Sequence, residues 1–445
     1  MRELLILCLA LMIVALNACN KEDRLRRSLA AGSGTVILPS GDIELKAPLV
    51  IEGARSLIVS GNAQKLKMSF EGEAAIVIRN SKDVRLENFA VEGNRERLDK
   101  RHGLPPSDQP MARWQKNNGV MVLNSDNVRL ERLTIRLVAG YAVLASASRR
   151  ITIEEVLAGD SGSLNEKGRN NATGGILFEQ GCEEFAVRRS KLRNIRGNGI
   201  WTHALYNSPR NRNGDFAEND LRYIGRDALQ AGHATQLRIV SNTGGFIGFP
   251  HEIVDVEQGG IPVAVDTAGN VDESLYGGNL FEEVNGKCID LDGFHHGSVR
   301  GNVCMNRRQA KDYPHGHYGI VMNNSNPDME SRAIRIEDNV TEGFRFGGLF
   351  LIGQGHTVRA NRFRRLNLIQ CNDNLAAGCL YKEGEPDLLR SGIYLANGAH
   401  RPDPARGNVI EDNEVHGYGM KTWCVVTAPG VSANRNTIRG NRCAE

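Results

Sequence analysis

The chain has 445 residues, of which 24% are charged and 40% apolar, with a formal net charge of only +3. That balance excludes a disordered polyelectrolyte, and nothing in the overall charge points to nucleic acid. Glycine is abundant at 49 residues while aromatics make up 6%, which suits many short strands and turns better than long helices.

The first element is a targeting segment. Arg2 precedes an apolar run from Leu4 to Leu16, too short to span a bilayer as a mature helix, and it reads as the h-region of a signal peptide. The run ends in "LNAC", Leu16 to Cys19. This resembles the lipobox of bacterial lipoproteins, which implies cleavage before Cys19 and lipidation of its thiol. With Asn20 in the following position, the resemblance implies the outer membrane if the host is Gram-negative. An ordinary secretory signal is the alternative. Nothing later in the sequence is apolar enough for a second span. Residues 1–18 are therefore expected to be a signal peptide, 19–31 a tether and 32–445 one folded, exported domain, monomeric and touching the membrane only through its lipid.

From residue 34 onward no stretch shows sustained 3.6-residue periodicity. A different phrase recurs: two apolar residues at alternate positions, a short polar gap, then Asn. It is seen in "LRIVSN" at Asn242, "GSVRGN" at Asn302, "IRIEDN" at Asn339, "HTVRAN" at Asn361 and "NVIEDN" at Asn413. Asn219, Asn279 and Asn441 fill the same slot, and the intervals from Asn219 to Asn441 are 23, 37, 23, 37, 22, 52 and 28. The base period is 22–23 residues, with insertions. Each period also carries a Gly-led strand: "GIWTH" at Gly199, "GIPVAV" at Gly260, "GIVMN" at Gly319, "GLFLI" at Gly348 and "GIYLA" at Gly392. Two or three short strands per turn, with Asn stacked at one corner, is the pattern of a solenoid whose coils pair in parallel.

This pattern, with the opening "GSGTVILPSGDIELKAPLVIEG", resembles the right-handed parallel β-helix superfamily, the pectate-lyase-like fold. The resemblance covers Gly32 to the C-terminus and implies an all-β solenoid of about ten to twelve coils with loop insertions beside one sheet. It does not name a function, because the superfamily holds polysaccharide lyases, glycoside hydrolases, epimerases and non-catalytic adhesins.

Phasing the coils on the Asn slot sets which residues face outward on the Gly-led sheet. They are Leu177 and Glu179, Trp201 and His203, Gln230 and Gly232, Asp290 and Asp292, Val321 and Asn323, Phe350 and Ile352, and Tyr394 and Ala396. Asp290 and Asp292 stand about 7 Å apart on one strand, and His295 and His296 follow. Four insertions, residues 93–119, 163–175, 203–215 and 307–319, are expected to wall a groove beside this sheet. They supply Trp114, Lys116, Lys167, Arg169, Arg210 and Tyr318. Cations and rings in that setting suit an acidic polysaccharide, since cations pair with carboxylates and rings stack on sugar faces. Trp201, Glu179, Gln230, His233, Asn323 and His317 are further candidate substrate contacts.

Two chemistries fit the central segment. In one, Asp290 and Asp292 are the acid and base of an inverting glycosidase, whose carboxyls stand about 6.5–9.5 Å apart, with His203, His295 or His296 assisting. In the other, the Asp pair binds Ca²⁺ that bridges to a uronate carboxylate while a neighbouring base abstracts the adjacent proton, giving elimination or epimerisation. Asp292-Gly293 is also a turn-like pair that would simply end the strand. The polygalacturonase motif set and the DPHD motif of alginate epimerases are absent, so no family's catalytic residues carry over. A non-catalytic surface lipoprotein that binds glycan or another envelope component is the alternative of a different class.

Seven cysteines remain after Cys8 and Cys19: Cys182, Cys288, Cys304, Cys371, Cys379, Cys424 and Cys443. Export permits disulfides, and the absence of any CxxC pair argues against a zinc ribbon. Cys371 and Cys379 can close a small loop, and Cys424 and Cys443 can staple the last coil. The odd count leaves one thiol, expected to be buried.

Overall fold

In the computed structural model the described residues are 21–98, 109–257, 260–373, 379 and 384–445. The sequence coils into three long parallel sheets, and each strand pairs with its counterpart one coil away. Sheet 1 runs from Gly34–Ile37 to Thr437–Arg439, sheet 2 from Ile43–Leu45 to Arg442–Ala444, and sheet 3 from Leu49–Glu52 to Val425–Thr427. The chain folds as a right-handed parallel β-helix. Sheets 1 and 2 each hold 14 strands, more turns than the ten to twelve expected. The Asn phrase marks only the later coils: the same corner slot holds Phe89, Leu133, Val156 and Ser190 in the earlier ones, all buried.

Period-two alternation fills the interior with stacked side chains. Leu86, Leu130, Ile153, Val187, Phe216, Ile239, Tyr276, Val299, Ile336, Val358 and Ile410 form one continuous register column on sheet 1, and all are fully buried. Residues 21–29, within the segment read as a tether, form a helix. Its Leu25 and Leu29 belong to the same core, while Arg26 donates to the carbonyls of Ala47 and Pro48 and Glu22 accepts from the Lys46 amide. A solenoid needs such a cover, because its first coil would otherwise expose apolar core.

The Asn slot works as a hydrogen-bond ladder. The side-chain oxygen of each Asn accepts both the backbone N–H and the amide NH₂ of the Asn one coil before it, from Asn219 through Asn242, Asn279, Asn302, Asn339, Asn361 and Asn413 to Asn441. Each NH₂ also donates to a carbonyl of the sheet 1 strand one coil earlier, as Asn302 does to Tyr276. The residue preceding the slot is left-handed, Gly301 at φ 62° and Asp338 at φ 56° among them. The tight corner leaves backbone groups inside the coil that the short Asn amide satisfies in the later coils and the Ser190 hydroxyl in an earlier one.

Cys371–Cys379 and Cys424–Cys443 are bonded as expected, and Cys182 is free and buried. A third bridge, Cys288–Cys304, ties sheet 3 to sheet 2 through the interior of one coil. Among the described residues no helix is long and apolar enough to cross a membrane. Cys19 and the apolar run before it lie outside the described residues.

Candidate active site

The middle coils of sheet 3 bring a set of acidic groups into one register column. Ile200 pairs with Leu229, Leu229 with Val265, Val265 with Ile289, and Ile289 with Ile320. The next residue on each strand faces outward, so Trp201, Gln230, Asp266, Asp290 and Val321 stack in order. Asp266 and Asp290 thus face out from adjacent coils, with backbones about 4.8 Å apart.

The column is wired. Asn198 donates to Gln230 Oε1 at 2.6 Å, and Gln230 Nε2 donates to Asp266 Oδ2 at 2.5 Å. Lys287, three residues before Asp290, donates its ammonium to Asp290 Oδ2. Among the described residues no side chain donates to the second Asp290 oxygen. Below them Asp227 accepts the Val263 amide at 3.0 Å. Asp227, Asp266 and Asp290 are all buried, so three carboxyls share a region that holds one ammonium.

Electrostatics then separates their protonation. Burial raises the Asp266 pKa well above the usual carboxylate range, and the charges of Asp227 and Asp290 push it further in the same direction. Burial raises Asp227 to about 6, against the opposing pull of Arg226. Burial also raises Asp290, but Lys287 offsets part of that rise. For Lys287 burial acts downward, yet the Asp290 carboxylate outweighs it and the ammonium form is favoured. Both carboxyls are pushed toward the protonated form, Asp266 without an ammonium bound to it and Asp290 against the opposing pull of Lys287, so crowding favours the proton on Asp266 over Asp290.

A cavity of about 140 Å³ meets this cluster at Lys287, with the three carboxyls behind its wall. Lys287, His317, Val321, Asn323, Phe350 and His400 contribute to its walls. Asn323 donates to His400 Nδ1 at 2.8 Å. Burial and the Lys287 charge drop His317 to about 3, so its imidazole is neutral. At this end of the sheet the expected groove is a short pocket, and a cleft of about 570 Å³ lies between the 93–119 and 203–215 insertions.

Other expected site residues are placed differently. Asp292 faces outward from the same strand as Asp290, but its two oxygens accept the Ser325 amide and hydroxyl. It anchors the 324–334 loop, and with Lys287 on Asp290 the pair does not converge as an open Ca²⁺ site. Gly293, at φ 87°, does not end the strand, which continues to His295. His295 and His296 sit beyond it, at the far end of the strand. Glu179 is fully buried and accepts the amides of Met111 and Ala112 at 2.8 Å, tying the 111–114 turn onto the sheet rather than facing solvent. That turn covers Trp201, which packs with Met111, Tyr141 and Leu177. Tyr318 is also buried, its hydroxyl donating to the Leu388 carbonyl. Outward on the sheet is not exposed where an insertion lies across it. Gln230 is enclosed in the acid network.

His203 lies 3.9 Å from Glu179 and over Trp201, and the His233 ring meets Tyr206 edge-on at 4.2 Å. Two loop cations face protein partners, Arg210 pairing with Asp272 at 2.8 Å and Arg169 donating to the carbonyls of Glu252 and Val254, while Lys167 stays exposed, 3.9 Å from Glu257. Trp114 remains exposed and Lys116 half-buried.

Asp266, Asp227 and Lys287 were not anticipated. The signal was there but out of frame. The position before each paired strand residue is Gly199, Ala228, Ala264, Cys288 and Gly319 in successive coils. Ala264, not Gly260, holds that position in its coil, and reading the strand as Gly260 to Val265 stops one residue short of Asp266.

No protein-family model matches the sequence, and no curated protein matches it. Solved structures share the fold at low identity. The Dettilon tailspike protein aligns at a TM-score of 0.54 with 14% identity, over 92% of this chain and 64% of the tailspike chain. This chain therefore spans less than two thirds of the tailspike's length. The DFA-IIIase of Arthrobacter chlorophenolicus A6, without its lid, aligns at 0.56 with 13% identity over 92% and 88%. These likenesses establish the parallel β-helix.

Proposed function

We propose that the chain is a glycoside hydrolase in which Asp266 donates the proton to the leaving glycosidic oxygen and Asp290 is the opposing carboxylate. The observation that carries this reading is the pairing of Asp266 and Asp290 on adjacent coils with the Lys287 ammonium bound to Asp290. Glycoside hydrolysis needs one protonated and one ionised carboxyl flanking the scissile bond, and burial with one Lys supplies both forms. Lys287 keeps Asp290 ionised, and neutral His317 with Asn323 offers hydrogen bonds to a sugar in the pocket. The DFA-IIIase, one of whose structures holds DFA-III, lends support from a protein of like fold.

Elimination from a uronate fits less well. That chemistry needs cations to neutralise the substrate carboxylate, whereas Lys287 is taken by Asp290, Arg226 acts on Asp227, and the Arg210 and Arg169 side chains face protein groups. A neutral sugar is favoured over an acidic one. A binding-only protein has no use for a buried acid that holds its proton. The export signal and lipobox add the proposal that this activity is anchored to the bacterial envelope.

The test is to incubate the mature chain with neutral oligosaccharides and with uronate polysaccharides, following reducing ends and the ultraviolet absorbance of unsaturated uronate. New reducing ends from a neutral glycan without an absorbance rise are expected, and they should vanish in Asp266→Asn. An absorbance rise that a chelator abolishes would establish elimination and end the hydrolase reading.

A further inference from the structure

At the far end of the Lys287–His295 strand, three side chains converge that the proposed hydrolysis does not use. His295 Nδ1 lies 2.9 Å from His296 Nδ1 and 3.5 Å from Glu330 Oε1. The donor atoms of His295, His296 and Glu330 all lie within 4.8 Å of one another. His295 is buried, His296 is exposed, and Glu330 is half-buried.

The surroundings fix which atoms present lone pairs. His295 Nε2 is 2.9 Å from Asn270 Oδ1. An amide oxygen only accepts, so Nε2 carries the hydrogen and Nδ1 is left as the lone-pair nitrogen facing His296 and Glu330. A hydrogen bond from the distal ring nitrogen to a fixed acceptor is the usual support of a metal-bound imidazole. Arg332 Nη2, 3.5 Å from Glu330 Oε2, orients the carboxylate from its other side.

The distances suit a transition metal. An ion held about 2.0–2.1 Å from each nitrogen spans a 2.9 Å gap at an angle of about 90°. The same ion spans the 3.5 Å gap from His295 to Glu330 at about 115°. Glu330 is exposed enough to swing onto an ion shared with His296. Two imidazoles and one carboxylate select zinc or a neighbouring divalent transition ion over Ca²⁺, which takes oxygen ligands.

We propose that His295, His296 and Glu330 form a divalent transition-metal site that pins the 324–334 loop to the end of this strand. Glu330 belongs to that loop. So do Ser325, which holds Asp292, and Asn326, which hydrogen-bonds the Tyr206 hydroxyl. The metal therefore acts on a wall of the same sheet face without touching Asp266 or Asp290, and the site stands whether or not the hydrolase reading does.

The experiment is calorimetric titration of the chelator-stripped mature chain with Zn²⁺, with Co²⁺ visible absorption as a second probe of the ligands. One ion per chain at micromolar affinity is expected, with at least a tenfold loss in His296→Ala and in Glu330→Gln and none in His416→Ala. Zn²⁺ should also slow proteolysis within 324–334, and this protection should disappear in both variants. His296 is exposed, so its variant should fold; if circular dichroism shows otherwise, Glu330→Gln decides. Weak binding at several sites, or equal affinity in wild type and both variants, would mean an adventitious ion only and would overturn the proposal. Tight binding without loop protection would overturn the pinning role.

Discussion

Replacing Asp290 with Asn is expected to destabilise the folded protein by about 3–5 kcal/mol, the usual cost of leaving one charge of a buried pair uncompensated. The ammonium of Lys287 is the charge left behind, since its hydrogen bond goes to Asp290. Replacing Asp266 with Asn should do the opposite. Asp266 holds its proton in the folded state, and Asn is a neutral group of the same shape that can still accept from Gln230. The sign follows from linkage. The folded pKa of Asp266 lies above its unfolded value near 3.8, so the stability present below that value is lost as pH rises from it through the folded pKa. Asn does not titrate. Asp266→Asn should therefore match wild type in acid and become the more stable protein toward neutral pH, while losing activity. Urea unfolding of both variants at acid and neutral pH measures this. Equal effects of the two substitutions at neutral pH would refute the assignment of charge to Asp290 and proton to Asp266.

The second large effect belongs to the corner ladder. Asn302→Ala removes the acceptor of the Asn279 N–H and NH₂ and the donor to the Tyr276 carbonyl. Those groups are buried, and each unsatisfied one costs about 1–3 kcal/mol, so a loss of about 3 kcal/mol or more is expected. Asn441→Ala, at the half-exposed last rung, should cost about 1 kcal/mol because water can replace the bond. A comparison of urea midpoints separates the two. Similar small losses at both positions would show that the amides are not what holds the corner.

These two predictions bracket what the sequence made readable. The ladder was legible because the fold repeats it: a buried corner tolerates few side chains, so Asn recurs every 22–23 residues wherever no insertion intervenes. Inward Ile289 and Leu291 were legible for the same reason. The coil count fell short because Phe89, Leu133 and Val156 fill the corner slot without the Asn signature. Asp290 was visible as a polar outward residue where the fold leaves the choice free. Its partner was not visible, because reading the strand as Gly260 to Val265 ends before it, whereas the strand runs from Val263 to Asp272 and carries Asp266. Asp292 looked equivalent to Asp290, and only the position of Ser325 distinguishes an anchor from a site carboxylate. Trp201, placed by strand phase, and Tyr318, placed by its insertion, are both buried, because direction and loop membership do not say which segment folds over them. The loop cations looked free because their partners, such as Asp272 for Arg210, lie coils away in the sequence.

Asp266 is expected to keep its proton beside an ionised Asp290. Infrared spectroscopy of the carboxyl stretch at neutral pH tests it most directly, comparing wild type with Asp266→Asn and Asp227→Asn. The account expects a protonated-carboxyl band in wild type and in Asp227→Asn that is missing from Asp266→Asn. A wild-type protein with no protonated carboxyl at neutral pH, or a band that survives in Asp266→Asn, would contradict it.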